Sequence, residues 1–197
     1  MFETLRNALK VKDIRKRLLF TLVVLVICRL GSQLPIPGID TDTISQYLNS
    51  LLGDSFNLLN SFTGGSFESM SLFALNVTPH ITASIIIQLL TIAIPALERL
   101  SKEGGEEGKK KLTKITRYTT VGLGVLMGFA YYIMLSNYNS QYSNMLLTST
   151  GFLTALVIIL TFTAGSTLVM WLGDQISEHG IGNGISMILF AGIISRI

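Results

Sequence analysis

The sequence predicts an all-α transmembrane fold whose second span is broken. Three observations predict it. Of 197 residues, 49% are hydrophobic and 14% charged, and the mean hydropathy is +0.53, too apolar for an ordinary water-soluble domain. Two stretches carry no charge: 29 residues from Ser69 to Leu97 and 56 residues from Tyr118 to Gly173. One crossing of a roughly 30 Å hydrocarbon core takes about 20 residues. The first stretch is interrupted at Asn76-Val77-Thr78-Pro79. Pro79 has no N–H and would clash with the preceding turn inside a helix. In the first turn of a new helix it fits, with Thr78 as N-cap. The spacing predicts a short helix over about 65–75, a break, and a second helix over about 79–97. Irregular backbone at membrane depth is tolerated only inside protein or beside water, so this stretch is expected to line a cavity or pore.

The elements follow in chain order. Residues 1–17 hold Arg6, Lys10, Lys12, Arg15, Lys16 and Arg17 among helically spaced apolar residues, a basic amphipathic helix on a membrane surface. The first span is expected over about 18–34. It contains Arg29, close enough to the outer end to snorkel; pairing with Glu68 is the alternative. Pro35-Ile36-Pro37-Gly38 then turns the chain. A polar outer segment over 39–61 carries Asp40, Asp42 and Asp54. The broken span comes next, then a glycine-rich and basic connection, Glu98 to Lys114, expected as a solvated hairpin. Spans three and four are expected over about 115–135 and 151–172. Gly124 and Gly128, and Gly151 with Ala155, are small-xxx-small pairs suited to close helix packing. Trp171 suits an interface anchor. Gly180-Ile181-Gly182-Asn183-Gly184 forms a tight turn; no strand precedes it and GxGxxG spacing is missing, so it is not a phosphate loop. A fifth apolar helix begins at Ile185 with 13 residues remaining, so the sequence is expected to stop inside its fifth span.

Charge placement sets the orientation. Of 15 Lys and Arg, 13 lie in 1–17 and 99–117. The positive-inside rule puts both segments in the cytoplasm. Cys28 is the single cysteine, which excludes a disulfide framework or a cysteine metal site. His80 and His179 lie far apart, and HExxH, GxSxG and paired intramembrane carboxylates are missing. No enzyme chemistry, metal site or cofactor is expected.

Five motifs together resemble the N-terminal half of the SecY family, the central subunit of the Sec protein-conducting channel. They are RLGSQLPIPGID (29–40), TGGSFESMSLFAL (63–75), PHITASIIIQLL (79–90), KEGGEEGKKK with the later TRY (116–118), and WLGDQISEHGIGNGIS (171–186). They occur in the family's order and cover nearly all of the chain. The resemblance implies five helices of a ten-helix, inverted-repeat channel: a cytoplasmic helix at 1–17, then the N-terminal channel half at 18–197, the fifth span (185–197) truncated. It implies a plug at about 63–75, here Thr63, Gly64, Gly65, Ser66, Phe67, Glu68, Ser69, Met70, Ser71 and Leu72. It implies an apolar pore ring contributed by Val77 and Ile81 from the second helix and Ile185 and Leu189 from the fifth. A lateral gate is implied along the second helix at Thr82, Ile86, Gln88 and Thr91, and a cytoplasmic docking loop at Lys109, Lys110 and Lys111. Asn76 stands where the family commonly has glycine, and His80 where it commonly has an aromatic residue.

The implied function is conduction of unfolded polypeptides across the cell membrane, with sideways release of signal and transmembrane segments into lipid. The implied partners are SecE-like and SecG-like small subunits, the SecA motor or the ribosome, a secretory polypeptide with its signal sequence, the C-terminal half of the same channel, and the lipid bilayer. The alternative is a secondary transporter with a broken-helix midplane site. It would need a coordinating site of carboxylates or carbonyls at that depth, and the sequence has no acidic residue between Ser69 and Leu97 or between Tyr118 and Gly173.

Overall fold

The computed structural model describes residues 11–36, 69–102, 104–141 and 152–194, with Ser45, Gln46, 53–55, Leu58, Thr63, Gly65 and Ser66. Six helices of eight or more residues are defined among them: α1 Lys12–Gly31, α2 Thr78–Ala93, α3 Pro95–Lys102, α4 Gly105–Gln141, α5 Phe152–His179 and α6 Gly184–Ile194. The chain divides into two compact units. The first holds residues up to Pro35, Thr41–Ala74 and Leu168–Ile197; the second holds Ile36–Asp40 and Leu75–Thr167.

Two helices, α4 over Gly105–Asn137 and α5, are long and apolar enough to cross a membrane, and α2 with α3 makes a third if that bent pair is one span. The helix α1 has 20 residues, the length of a crossing. Its charge-free run is confined to Leu18–Cys28, between Arg17 and Arg29. The helix α6 is apolar and 11 residues long.

In the first unit, α1 ends where Phe73 packs on Gly31. A Cβ on Gly31 would fall on the Phe73 ring, so glycine is needed for the ring to reach the helix backbone. Pro35 pairs with Ser71 in an isolated antiparallel bridge, and the Leu72 amide donates to the Leu34 carbonyl at 2.9 Å. The short helix expected over 65–75 does not form among the described residues. Residues 69–77 are a run of turns, in which Met70 (φ +42°) and Asn76 (φ +46°) take the left-handed region. Two such residues cannot belong to a right-handed helix.

In the second unit, the break falls at Pro79 as the sequence predicts. The cap differs. Val77 is the N-cap, without a side-chain bond, and Thr78 is already helical. A second break was not foreseen: Ile94 is extended (φ −110°, ψ 112°) and α3 leaves α2 at 102°. Pro95 causes it, because a proline drives its preceding residue out of the helical region. The helix expected over 79–97 is therefore two helices. The helix α4 follows from Gly105. Here Leu100 presents its carbonyl directly against Gly104 and Gly108, a close approach that side chains would block. Further along, α4 and α5 lie close at the glycine pair: a Cβ on Gly124 would meet Ser166 Oγ at 3.1 Å, and one on Gly128 the Ile159 carbonyl at 3.3 Å. The small-xxx-small reading holds for this pair. Gly151 of the other pair lies outside the described residues.

Candidate channel site

The expected ring and plug residues fall on the irregular segment between α1 and α2, at the start of α2 in the second unit, and at the start of α6 in the first. Val77 closes the irregular segment and is 1% exposed. Its carbonyl accepts the Ile81 amide at 3.0 Å, so the two residues stand one turn apart at the start of α2. Ile185 and Leu189 stand one turn apart on α6. The δ-carbon of Ile185 reaches Gly173 of α5, where a Cβ would lie 2.6 Å from it. The four ring residues are thus two i,i+4 pairs, one in each unit. All four side chains are apolar, and no acidic residue stands within either pair.

The start of α6 is fixed by contacts that the sequence reading missed. Asn183 Oδ1 accepts the amides of Ile185 (3.1 Å) and Ser186 (3.3 Å), an N-cap that satisfies two orphan donors. The signal was legible: asparagine directly before an apolar run marks a helix start. Gly184 sits so close to the Gly173 carbonyl that a Cβ has no room, and its amide donates to Ser177 Oγ at 2.9 Å. Thr21 of α1 completes the turn. Its hydroxyl donates to the Arg17 carbonyl at 2.9 Å and accepts the Ile181 amide at 3.2 Å.

Arg29 neither snorkels outward nor is described with Glu68, which lies outside the described residues. Its guanidinium turns to the end of α6 and donates to the carbonyls of Ala191 (2.5 Å) and Gly192 (2.9 Å). Those carbonyls are among the last four of α6, which have no partner within the helix, and they carry the negative end of its dipole. No local pattern announces a contact across 162 positions.

Of the plug residues, Thr63, Gly65, Ser66, Ser69, Met70, Ser71 and Leu72 are described; Gly64, Phe67 and Glu68 lie outside. Serines hold this segment. The Ser71 amide and hydroxyl both donate to the Ser66 carbonyl, at 3.0 and 3.1 Å. Ser69 Oγ donates to the Gly65 carbonyl at 3.1 Å and approaches the Ser32 carbonyl of the α1 cap at 3.4 Å. Met70 is fully buried. Among the described residues, the contacts shown to the end of α1 are the Pro35–Ser71 bridge, Ser69 on the Ser32 carbonyl and Phe73 on Gly31.

The four gate residues lie on α2 but not on one face. At 3.6 residues per turn, Thr82 and Ile86 share one side, and Gln88 and Thr91 another. Their polar groups are satisfied within the helix: Thr82 donates to the Thr78 carbonyl, Gln88 to Ser84 Oγ, and Thr91 to the Gln88 carbonyl. Ile86 is exposed, as are Ile85, Leu89 and Ile92. His80 Nδ1 lies 3.2 Å from Thr120 Oγ1 of α4.

Lys109, Lys110 and Lys111 require a correction. They do not lie in an open loop; α4 begins at Gly105 and carries all three in its first two turns, exposed. Glycine at 108 interrupts nothing, and the lysines themselves are good helix formers. In α3, Lys102 and Glu98 form an i,i+4 ion pair at 2.7 Å, and the hydrogen bond that the Lys102 ammonium donates to Glu98 holds its pKa above the ordinary lysine value.

These elements have counterparts in known proteins. The model of the SecY family matches residues 71–197, more than half of the chain. The chain is 43% identical to the protein translocase subunit SecY of Bacillus subtilis, over all of its own length and 44% of that protein. It is 42% identical to the SecY of Thermus thermophilus, over 98% of its own length and 44% of the relative. The chain thus spans less than half the length of these relatives. Two solved structures share the fold at TM-score 0.63 and 18% identity: Sec61 in the canine ribosome–channel complex from the endoplasmic reticulum, and a protein-conducting channel, each covering 93% of this chain and 37% of the other. A broken second helix, two apolar i,i+4 pairs and close matches along the whole sequence lead to one conclusion: this chain belongs to the SecY family.

Proposed function

We propose that the chain supplies the N-terminal half of the pore of a Sec translocon, which conducts unfolded polypeptides and releases apolar segments sideways into lipid. The observation that carries this reading is the pair of apolar i,i+4 couples at Val77–Ile81 and Ile185–Leu189, each near the start of a helix. A moving polypeptide presents every side-chain type in turn. A collar of apolar side chains holds none of them strongly and excludes water when closed. A polar recognition site would arrest some segments. The serine-held segment at 63–72 serves as the plug: its few polar attachments make it releasable. The helix α2, with its polar groups satisfied internally and isoleucines exposed, serves as one wall of the lateral gate. An apolar signal helix leaves by it because burial in lipid removes its surface from water.

In this reading the protein lies in the cell membrane, multi-pass, with five spans and residues 1–17 cytoplasmic. Lys109, Lys110 and Lys111 offer an exposed basic face on α4 to the SecA motor, the ribosome or anionic lipid. SecE-like and SecG-like subunits and the C-terminal half complete the channel. Reconstitution tests the claim. Replacing Ile81 or Ile185 with asparagine should raise resting ion conductance at least several-fold in vesicles holding the complete channel. Conductance equal to the parent protein in both variants would overturn it.

A further inference from the structure

A pocket of about 630 Å³ opens within the first unit between the start of α1 and the end of α5. It is lined by Asp13, Lys16, Arg17, Phe20, Gln175, Glu178 and His179. Its depth is set by sequence. The apolar run of α1 begins at Leu18, and the uncharged run of α5 ends at Gly173. The lining residues therefore stand at the ends of both apolar runs, where hydrocarbon gives way to headgroups. Leu18, Leu19 and Leu22, next to the pocket on α1, are exposed and suit acyl chains.

The lining carries both charges. Lys16 and Arg17 face the same space as Asp13 and Glu178, and no ion pair is shown between any two of these four. Arg17 commits one N–H to the Gly180 carbonyl at 3.5 Å, out of five donors. Phe20 and His179, ring centroids 6.0 Å apart, form an aromatic wall. The volume lies within the range of small-ligand sites, about 300–1,000 Å³. Opposite charges held apart in one pocket suit a ligand that carries both.

We propose that this pocket binds the headgroup of a zwitterionic membrane lipid, a phosphate joined to a primary ammonium. The phosphate takes donors from Lys16 and Arg17. The ammonium donates to the carboxylates of Asp13 and Glu178. A lipid without the cation leaves both carboxylates unmatched, and a quaternary ammonium has no N–H to donate. The site rests on the membrane placement of α1 and α5 and is independent of the channel reading.

Native mass spectrometry of the protein, purified with the subunits it carries, tests this after delipidation in the presence of phosphatidylethanolamine, phosphatidylglycerol or phosphatidylcholine. One phosphatidylethanolamine should be retained at concentrations where the other two are lost. The double variant Asp13→Asn/Glu178→Gln, and separately Lys16→Gln, should weaken that retention at least tenfold with the assembly mass unchanged. Equal retention of the three lipids, or unchanged retention in both variants, overturns the proposal. If a variant fails to assemble, the parent protein is irradiated with a headgroup-photoreactive phosphatidylethanolamine. Adducts within 13–20 or 175–179 support the site; adducts only elsewhere overturn it. Displacement by soluble glycerophosphoethanolamine at equal concentration overturns the assignment to a membrane lipid.

Discussion

Asn76 turns the chain from the buried segment into α2 with a φ of +46°. Asparagine tolerates that region better than other residues bearing a Cβ, and glycine adopts it freely. Asn76→Ala should therefore destabilise the protein by about 1 kcal/mol, and Asn76→Gly should be close to neutral. Thermal unfolding in detergent separates the two; equal losses would mean that the Asn76 side chain, not its backbone, is what matters. Glycines give a second contrast at this scale. Gly184→Ala drives a Cβ into the Gly173 carbonyl, whereas a Cβ on Gly122 meets nothing within 4 Å. Alanine at 184 should cost several kcal/mol, in line with overpacking, and alanine at 122 should cost nothing. Comparable unfolding midpoints for these two variants would contradict the close approach of α5 and α6.

Among the elements, α2 and α3 show what local chemistry can dictate. Pro79 starts a helix and Pro95 breaks one. Pro95→Ala lifts the restriction on Ile94 and should open the 102° bend toward a continuous helix. Spin labels at Ile85 and Arg99 would then move apart, and an unchanged distance would assign the bend to packing against α4 instead. The break at Pro79 was legible because a proline in an uncharged run is a local signal. The bend at Pro95 carried the same signal but was read through, since the apolar run continues to Leu97. Where α4 begins was also misread. The glycines at 104 and 105 suggested an open loop, yet the helix takes Lys109, Lys110 and Lys111 into its first turns. The lack of helix over the described residues 69–77 rests on left-handed backbone at Met70 and Asn76, which side-chain periodicity does not reveal. Arg29 escaped for a different reason: its acceptors on α6 are brought to it by the fold alone. Arg29→Gln should speed amide exchange over 184–194 about tenfold, while exchange over 105–137 should not change.

Across the whole molecule, the fold class was legible from hydropathy and charge alone, because lipid demands long uncharged helices and tolerates broken ones only in sheltered places. The ring proposed at Val77, Ile81, Ile185 and Leu189 rests on the family resemblance. Composition marks Val77, Ile81, Ile185 and Leu189 as apolar, like dozens of other residues; it cannot tell a collar from a core. Their positions near the starts of α2 and α6, where a proline break and an Asn183 cap begin the helices, support that proposal. The most direct measurement is site-specific cross-linking in the assembled membrane channel. A photoreactive residue is placed in turn at 77, 81, 185 and 189, and a secretory polypeptide is arrested midway through export. The account predicts adducts to the polypeptide from all four positions, and lipid adducts alone from Leu153 and Leu160, exposed on the spanning helix α5. Polypeptide adducts from Leu153 and Leu160, with none from the four, would contradict it.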